Sequence, residues 1–232
     1  MSKHSKRYQA VVAKIDKSAR YPVVEALALA QATASAKFDE AVELHVKLNV
    51  NPTKGEENVR GTIVLPHGTG RVPRVAVFAE GEAAIAAREA GADRVGAEDL
   101  VEAIQGGWME FDILVAQPQM MKLVGPLGKT LGPRMPSKKG GNVLPDPATA
   151  VKAIKAGRIE YRVDRGGVIH VPVGRVSFTP EQLLENATAL LHAITVARPS
   201  TVSGRYILSV ATSCTMGPGV KLDLDDVRAK AA

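Results

Sequence analysis

The sequence predicts an α/β protein of two domains. The first is discontinuous and built on an antiparallel sheet; the second is inserted into it as a small α/β domain with a Rossmann-like parallel sheet. Three observations carry this. Residues 41–50 alternate without a break, Val42, Leu44, Val46, Leu48 and Val50 apolar with Glu43, His45, Lys47 and Asn49 between them, which is the period of a half-buried strand. From Arg74 to Ala116 short apolar runs alternate with helical stretches, implying βαβ units and a parallel sheet. The alternating style then returns at Ile159, Tyr161 and Val163. One style at both ends and another between them gives a first domain of residues 1–66 and 158–232 and a second of 67–157. Pro66, Gly68 and Gly70 at one crossing and Gly157 at the other are the expected hinge.

The elements follow in order. Tyr8, Val11, Val12 and Ile15 recur at helical spacing behind a basic lead-in, so the N-terminus is an amphipathic helix. Pro22 suits the first turn of a second helix, continued by the Ala/Leu-rich run to Ala36. The strand of residues 41–50 places His45 on its polar side as a solvated residue. Asn51-Pro52 and Lys54-Gly55 turn the chain, and a strand is expected at about Val59–Leu65. In the inserted part, strands are expected at Arg74–Ala79, Asp93–Val95 and Phe111–Ala116. Helices are expected at Gly81–Ala90, Ala97–Gly106 and Asp146–Ala156, and the Gly/Pro/Lys-rich stretch Gly125–Gly141 reads as a basic loop region. After Arg158 a strand reaches the turn Asp164-Arg165-Gly166-Gly167, and Val168–Val173 pairs back as a hairpin. Thr179-Pro180-Glu181-Gln182 combines an N-cap, a first-position proline and a third-position Gln, so a helix starts there and runs to about Ala197. A strand at Arg205–Ala211 delivers the loop Ser213–Lys221. In that loop Gly217 and Gly219 permit close backbone approach, Thr215 carries a hydroxyl and Met216 an adaptable side chain. It is either a tight turn or a surface shaped for a large partner.

Composition narrows the function. A chain of 232 residues holds one or two cores. With Cys214 alone there is no internal disulfide and no cysteine-based zinc cage. No apolar run approaches the roughly 20 residues of a membrane span, and no signal core follows the basic N-terminus, so a cytoplasmic protein is expected. The net charge of +6 is unevenly spread. Residues 1–20 hold six Lys/Arg against Asp16, and residues 129–175 hold ten against three acids, whereas residues 79–112 hold nine acids against Arg88 and Arg94. Basic patches attract phosphate backbones or are simply solvated.

Catalytic patterns are missing. Gly125-Pro126-Leu127-Gly128-Lys129-Thr130 looks like a phosphate loop, but Leu123 stands where its first glycine belongs. No G-x-G-x-x-G follows the first inserted strand. The five histidines form no metal-spaced pair, and there is no G-x-S-x-G elbow. No cofactor is implied. A nucleotide- or small-molecule-binding enzyme built on the inner α/β domain is the alternative reading. Aromatic content is only 4%, too sparse for a row of stacking platforms, which favours reading folded RNA by shape, backbone and 2′-hydroxyls. Phe38, beside Lys37, is either a core anchor or a face offered to a ribose or base.

Several ordered segments resemble the bacterial ribosomal protein L one family, large-subunit proteins of the mobile side stalk. They are Lys37-Phe38-Asp39-Glu40, Asn58–Thr62 with Leu65–Gly68, Gly106–Met109, Leu131–Arg134, Lys155–Glu160, Pro172–Gly174 and Thr215–Pro218, and they span nearly the whole chain. The resemblance implies the two-domain fold and a non-enzymatic, cytoplasmic ribosomal role. It implies as partners the ribosome's folded large-subunit rRNA stalk region, the exit-site tRNA whose release the stalk assists, and the protein's own operon mRNA, which it represses; it implies no membrane. The RNA-facing residues it implies are Lys6, Arg7, Lys37, Phe38, Glu40, Arg162, Arg165, His170, Thr215, Met216 and Gly217. Lys and Arg would position phosphates, while Thr215 and the Gly217 backbone would meet ribose edges. Three departures stand out: Arg134 runs directly into Met135–Lys139, a loop two residues shorter than is usual; Ala41 replaces a frequent Thr; and Gly219 replaces a frequent Ser.

Overall fold

The computed structural model describes residues 5–138 and 140–231; Lys3 and His4 of the basic lead-in and Lys139 lie outside them. The chain divides into two compact units, Met1–Gly70 with Glu160–Ala232, and Arg71–Ile159. Helix α1 (Lys6–Val12) starts where the Ser5 hydroxyl accepts the Tyr8 N–H at 3.4 Å. Pro22 precedes α2 (Val23–Thr33), which stops short of Ala36 because Ala34 turns extended. Strand β1 (Ala41–Leu48) buries every second side chain, as its alternation requires, and β2 (Arg60–Val64) follows.

In the second unit, β3 (Val75–Phe78), α3 (Glu82–Glu89), β4 (Arg94–Gly96), α4 (Glu98–Gln105) and β5 (Ile113–Ala116) lead into α5 (Met121–Val124), α6 (Gly128–Leu131) and α7 (Pro147–Lys155). The sheet is parallel, in the order β4-β3-β5. One of its faces packs Val75, Val77 and Val115 against Ala87 of α3 and Ala150, Val151 and Ile154 of α7. The other packs Ala76, Phe78 and Leu114 against Leu100 and Ile104 of α4 and against Val124, Leu127 and Leu131. The expected basic loop is therefore corrected. Residues 121–134 form α5, α6 and two 3-10 turns, Gly125–Leu127 and Gly132–Arg134, because Val124, Leu127 and Leu131 recur at helical spacing and bury one stripe.

The chain re-enters the first unit within β6 (Arg158–Arg162), and there follow β7 (Val168–Arg175), α8 (Pro180–Val196), β8 (Ile207–Cys214), β9 (Val220–Lys221) and α9 (Leu224–Ala231). The antiparallel sheet has the order β7-β1-β8-β9, and β2 pairs with β6 in a separate two-stranded sheet. The hairpin expectation is thus half corrected. The turn at 164–167 forms and Val163 bridges Ile169, but β6 and β7 join different sheets. Helix α8 begins with the expected capping box, Thr179 and Gln182 each accepting the other's backbone N–H. Buried Asn186 accepts the His67 N–H at 3.0 Å and donates to the carbonyls of Gly68 at 2.9 Å and Val173 at 2.8 Å. These bonds tie residues 67 and 68 to α8. Helices α2 and α8 pack against β8 and β7 and cover the sheet face that carries Val42, Leu44, Val46 and Leu48.

Candidate nucleic-acid interface

The phase of β1 decides what the opposite face displays. Since residues opposite each other in an antiparallel pair share a face, register assigns its rows. Glu43 lies between Pro172 and Ser213, His45 between His170 and Ala211, Lys47 between Val168 and Ser209, and Lys221 extends the His45 row opposite Ala211. This is a polar sheet surface of carboxylate, imidazole, ammonium and hydroxyl groups.

One edge of this surface is assembled by Glu40. Its side chain is only 1% exposed. One carboxylate oxygen accepts the N–H groups of Ser35 at 2.9 Å and Ala36 at 2.8 Å; the other accepts that of Met216 at 2.8 Å. Burial works against its charge, but the N–H groups of Met216, Ala36 and Ser35 and the Arg7 guanidinium outweigh it and hold the carboxyl below its ordinary value. Glu40 thus clamps the end of the α2–β1 segment to the β8–β9 loop. It shapes the edge from within.

Thr215 completes the join. Its N–H donates to the Ala41 carbonyl at 3.0 Å and its hydroxyl accepts the Ala41 N–H at 3.0 Å, so one of the hydroxyl's two acceptor positions is already used. Gly217 donates to the Cys214 carbonyl at 3.0 Å, and a Cβ there would meet Cys214 and Thr33 at ordinary contact distance, 3.4 Å and beyond. The Cys214 thiol is buried, bonded to the Ala30 carbonyl at 3.0 Å, and pushed up to about 12 by burial and the nearby Glu40 charge; it is a packing group, not a nucleophile.

Two large apolar side chains stand out from this edge, Phe38 at 56% and Met216 at 47% exposure. Phe38 is therefore not a core anchor. Arg7 reaches the same place, donating to the Ser35 hydroxyl at 3.0 Å, and Lys6 and Lys37 are exposed. The structure thus brings Arg7, Phe38, Glu40, Thr215, Met216 and Gly217 into one edge.

Arg162 and Arg165 are elsewhere. They line a groove of ≈ 620 Å³ with Pro52, Thr53 and Asn58, beside the turn where Lys47 bonds to the Gly166 carbonyl. That is the other end of β1, about 23 Å away at a strand's rise per residue. His170 lies between the two groups on the open face. His45 lies on the polar side of β1 as expected, but it is partnered rather than simply solvated. Its Nδ1 is 2.8 Å from His170 Nδ1 and its Nε2 is 3.0 Å from the Ser213 hydroxyl. Burial first, then His170, hold His45 below its ordinary value, against the opposing pull of Glu43. The alternation of β1 carried the signal for its face but not for its partners.

The carboxyl edge of the parallel sheet, where an α/β ligand cleft would form, is ringed by acids. Glu82 sits in the first turn of α3, and Glu98 and Asp99 in that of α4. Their charge in those first turns disfavours a phosphate at the helix ends. Among the described residues no group of three or more His, Cys, Asp and Glu could hold a metal ion, and no helix is long and apolar enough to cross a membrane.

Fold and face together define an α/β protein with a helix-backed antiparallel sheet that is polar on one side and bordered by exposed apolar and cationic side chains. Residues 30–218 match the family model described as the ribosomal protein L1p/L10e family. Similar proteins include the large ribosomal subunit protein uL1 of Methylobacillus flagellatus, 51% identical over 225 residues, which is 96% of this chain and 98% of that protein. The protein of the same name in Lactobacillus acidophilus matches to the same extent. That of Bordetella pertussis is 51% identical over 231 residues, 99% of this chain and all of its own length. The chain belongs to the ribosomal protein L1p/L10e family.

Proposed function

We propose that this protein is a structural, non-enzymatic component of the large ribosomal subunit that binds a folded segment of its rRNA at the side stalk. The observation that carries this reading is the edge made by Phe38, Met216 and Thr215 beside the polar sheet face, in a chain of this family. Phe38 and Met216 offer apolar contact to a ribose or base. Lys6, Arg7 and Lys37 at the edge, with Arg162 and Arg165 at the far turn, neutralise phosphates and set orientation. His170 contributes from the face. Glu40 and Thr215 hold the edge in shape, and Glu40 acts through the backbone it binds rather than through RNA.

Family resemblance extends the reading. By it the stalk protein assists release of deacylated tRNA from the exit site, and it represses translation by binding a similar fold on its own operon mRNA. The chain crossings near Gly70 and Gly157, both with positive φ, would serve as the hinge of the stalk protein. The alternative enzyme on the inner unit gains no support, because the acids at the sheet's carboxyl edge repel the phosphates of a nucleotide.

The test is binding to a large-subunit rRNA stalk fragment and to a scrambled RNA of equal length across a salt series. Expected is tight binding to the stalk fragment that outlasts binding to the scrambled RNA as salt rises. Equal, salt-fragile binding to both would overturn specific recognition.

A further inference from the structure

His45 and His170 face each other across β1 and β7 in the middle of the open polar face, ring centroids 5.0 Å apart in an edge-to-face arrangement. Their contact is chemically restrictive. Two Nδ1 atoms at 2.8 Å hold one proton between them, since one nitrogen must donate and the other accept. On the far side of each ring the partners differ. His45 Nε2 is 3.0 Å from the Ser213 hydroxyl, a neutral group. His170 Nε2 is 3.6 Å from an Asp164 carboxylate oxygen, a charged group. Protonating both rings makes both Nδ1 atoms donors and must break the contact, against the repulsion of two like charges.

Other charges facing the pair are few. On β1 they are Glu43 and Lys47, on β9 Lys221, and at the turn Asp164; the neighbouring β8 positions Ser209, Ala211 and Ser213 are neutral. Lys47 is turned to the Gly166 carbonyl. The centre of the face thus gains positive charge chiefly by protonating this pair.

We propose that the His45–His170 pair is a proton-linked phosphate contact: docking of an RNA phosphate over the open face draws a proton onto the pair and makes affinity rise as pH falls. This rests on the RNA-binding reading above. A phosphate over the rings offsets the repulsion that keeps the second proton off, so binding and protonation stabilise each other. The imidazolium groups then donate their freed N–H bonds to phosphate oxygens, as charge-assisted contacts.

The experiment uses the full chain and the stalk rRNA fragment. Affinity is measured from pH 5.5 to 8 at fixed salt, and calorimetry at pH 6.5 in two buffers of different ionisation enthalpy counts the protons taken up. Wild type is expected to gain up to tenfold in affinity per pH unit on acidification and to take up between half a proton and one proton per RNA bound. The double variant His45→Gln/His170→Gln, with its melting temperature checked, is expected to bind the RNA more weakly than wild type at pH 5.5 and to lose that slope and that uptake. His45→Gln alone keeps the His170–Asp164 site and is expected to retain part of the slope. Equal pH slopes and equal proton uptake in wild type and double variant would overturn the proposal while leaving RNA binding standing. Failure of wild type to prefer the stalk fragment at any pH would instead overturn the reading on which it rests.

Discussion

At the scale of single residues, exposed and buried members of the same edge make opposite expectations. Phe38 is 56% exposed, so Phe38→Ala is expected to leave the melting temperature unchanged and to weaken stalk RNA binding by about 1–3 kcal/mol, the worth of one stacked base. Thermal unfolding and a binding titration on the same preparation check both halves. Glu40→Ala is the converse. It removes the acceptor of three backbone N–H groups and is expected to cost about 2–4 kcal/mol of stability, with RNA affinity falling as a consequence. Because Glu40's carboxyl is held below its ordinary value of 4.5, its contribution is present above that pH and is lost as pH falls through the folded-state value. Acid denaturation of wild type against Glu40→Gln should show the difference confined to that range. His45 has the opposite charge type but the same sign. Its folded-state value is held below 6.5, so the folded protein binds fewer protons than the unfolded chain and loses stability as pH falls below about 6.5. Acidification is thus expected to loosen the free protein, compared with His45→Gln by denaturant titration at pH 7.5 and 5.5, over the same range in which it tightens RNA binding.

At the scale of elements, the difference between a loop and a packed helical turn is measurable. Leu131 is buried against the β3–β5 sheet, so Leu131→Ala is expected to cost about 2–5 kcal/mol, whereas a solvated loop position would change by less than about 0.5 kcal/mol. Denaturant unfolding decides between them. In the first unit, a Cβ on Gly61 would lie 2.4 Å from the Tyr161 hydroxyl oxygen. Gly61→Ala is expected to overpack the β2–β6 pair by about 1–3 kcal/mol. The Gly/Pro punctuation of residues 125–133 hid the apolar spacing of Val124, Leu127 and Leu131, which is why that stretch looked like a loop. The alternation at Ile159, Tyr161 and Val163 gave a strand correctly but not its partner, because period two specifies a face and says nothing about which strand lies alongside.

For the whole molecule, charge is separated along the chain. The acids of residues 79–112 all fall in the second unit, while the edge and turn cations of the proposed interface all fall in the first. If Lys6, Arg7, Lys37, Arg162 and Arg165 each neutralise one phosphate, log affinity is expected to fall with log salt at a slope of about −3.5 to −4.5. Removing one of these cations should reduce the slope by about 0.7 to 0.9, whereas Phe38→Ala should lower affinity at unchanged slope.

The sequence by itself determined the elements whose signals are local. Strict alternation set the buried face of β1, since a strand's side chains point to opposite sides. Thr179, Pro180 and Gln182 set the start of α8, since a cap needs only three neighbouring residues. Strand–helix alternation set the parallel sheet. Only the tertiary structure decided what depends on contacts between distant segments: that Glu40 gathers Ser35, Ala36 and Met216 into one edge, that Phe38 points to solvent rather than the core, and that His45 meets His170 and Ser213. Each of these joins residues more than a hundred positions apart or turns on which neighbours leave a side chain uncovered, and strand register and helix packing, not local spacing, fix both.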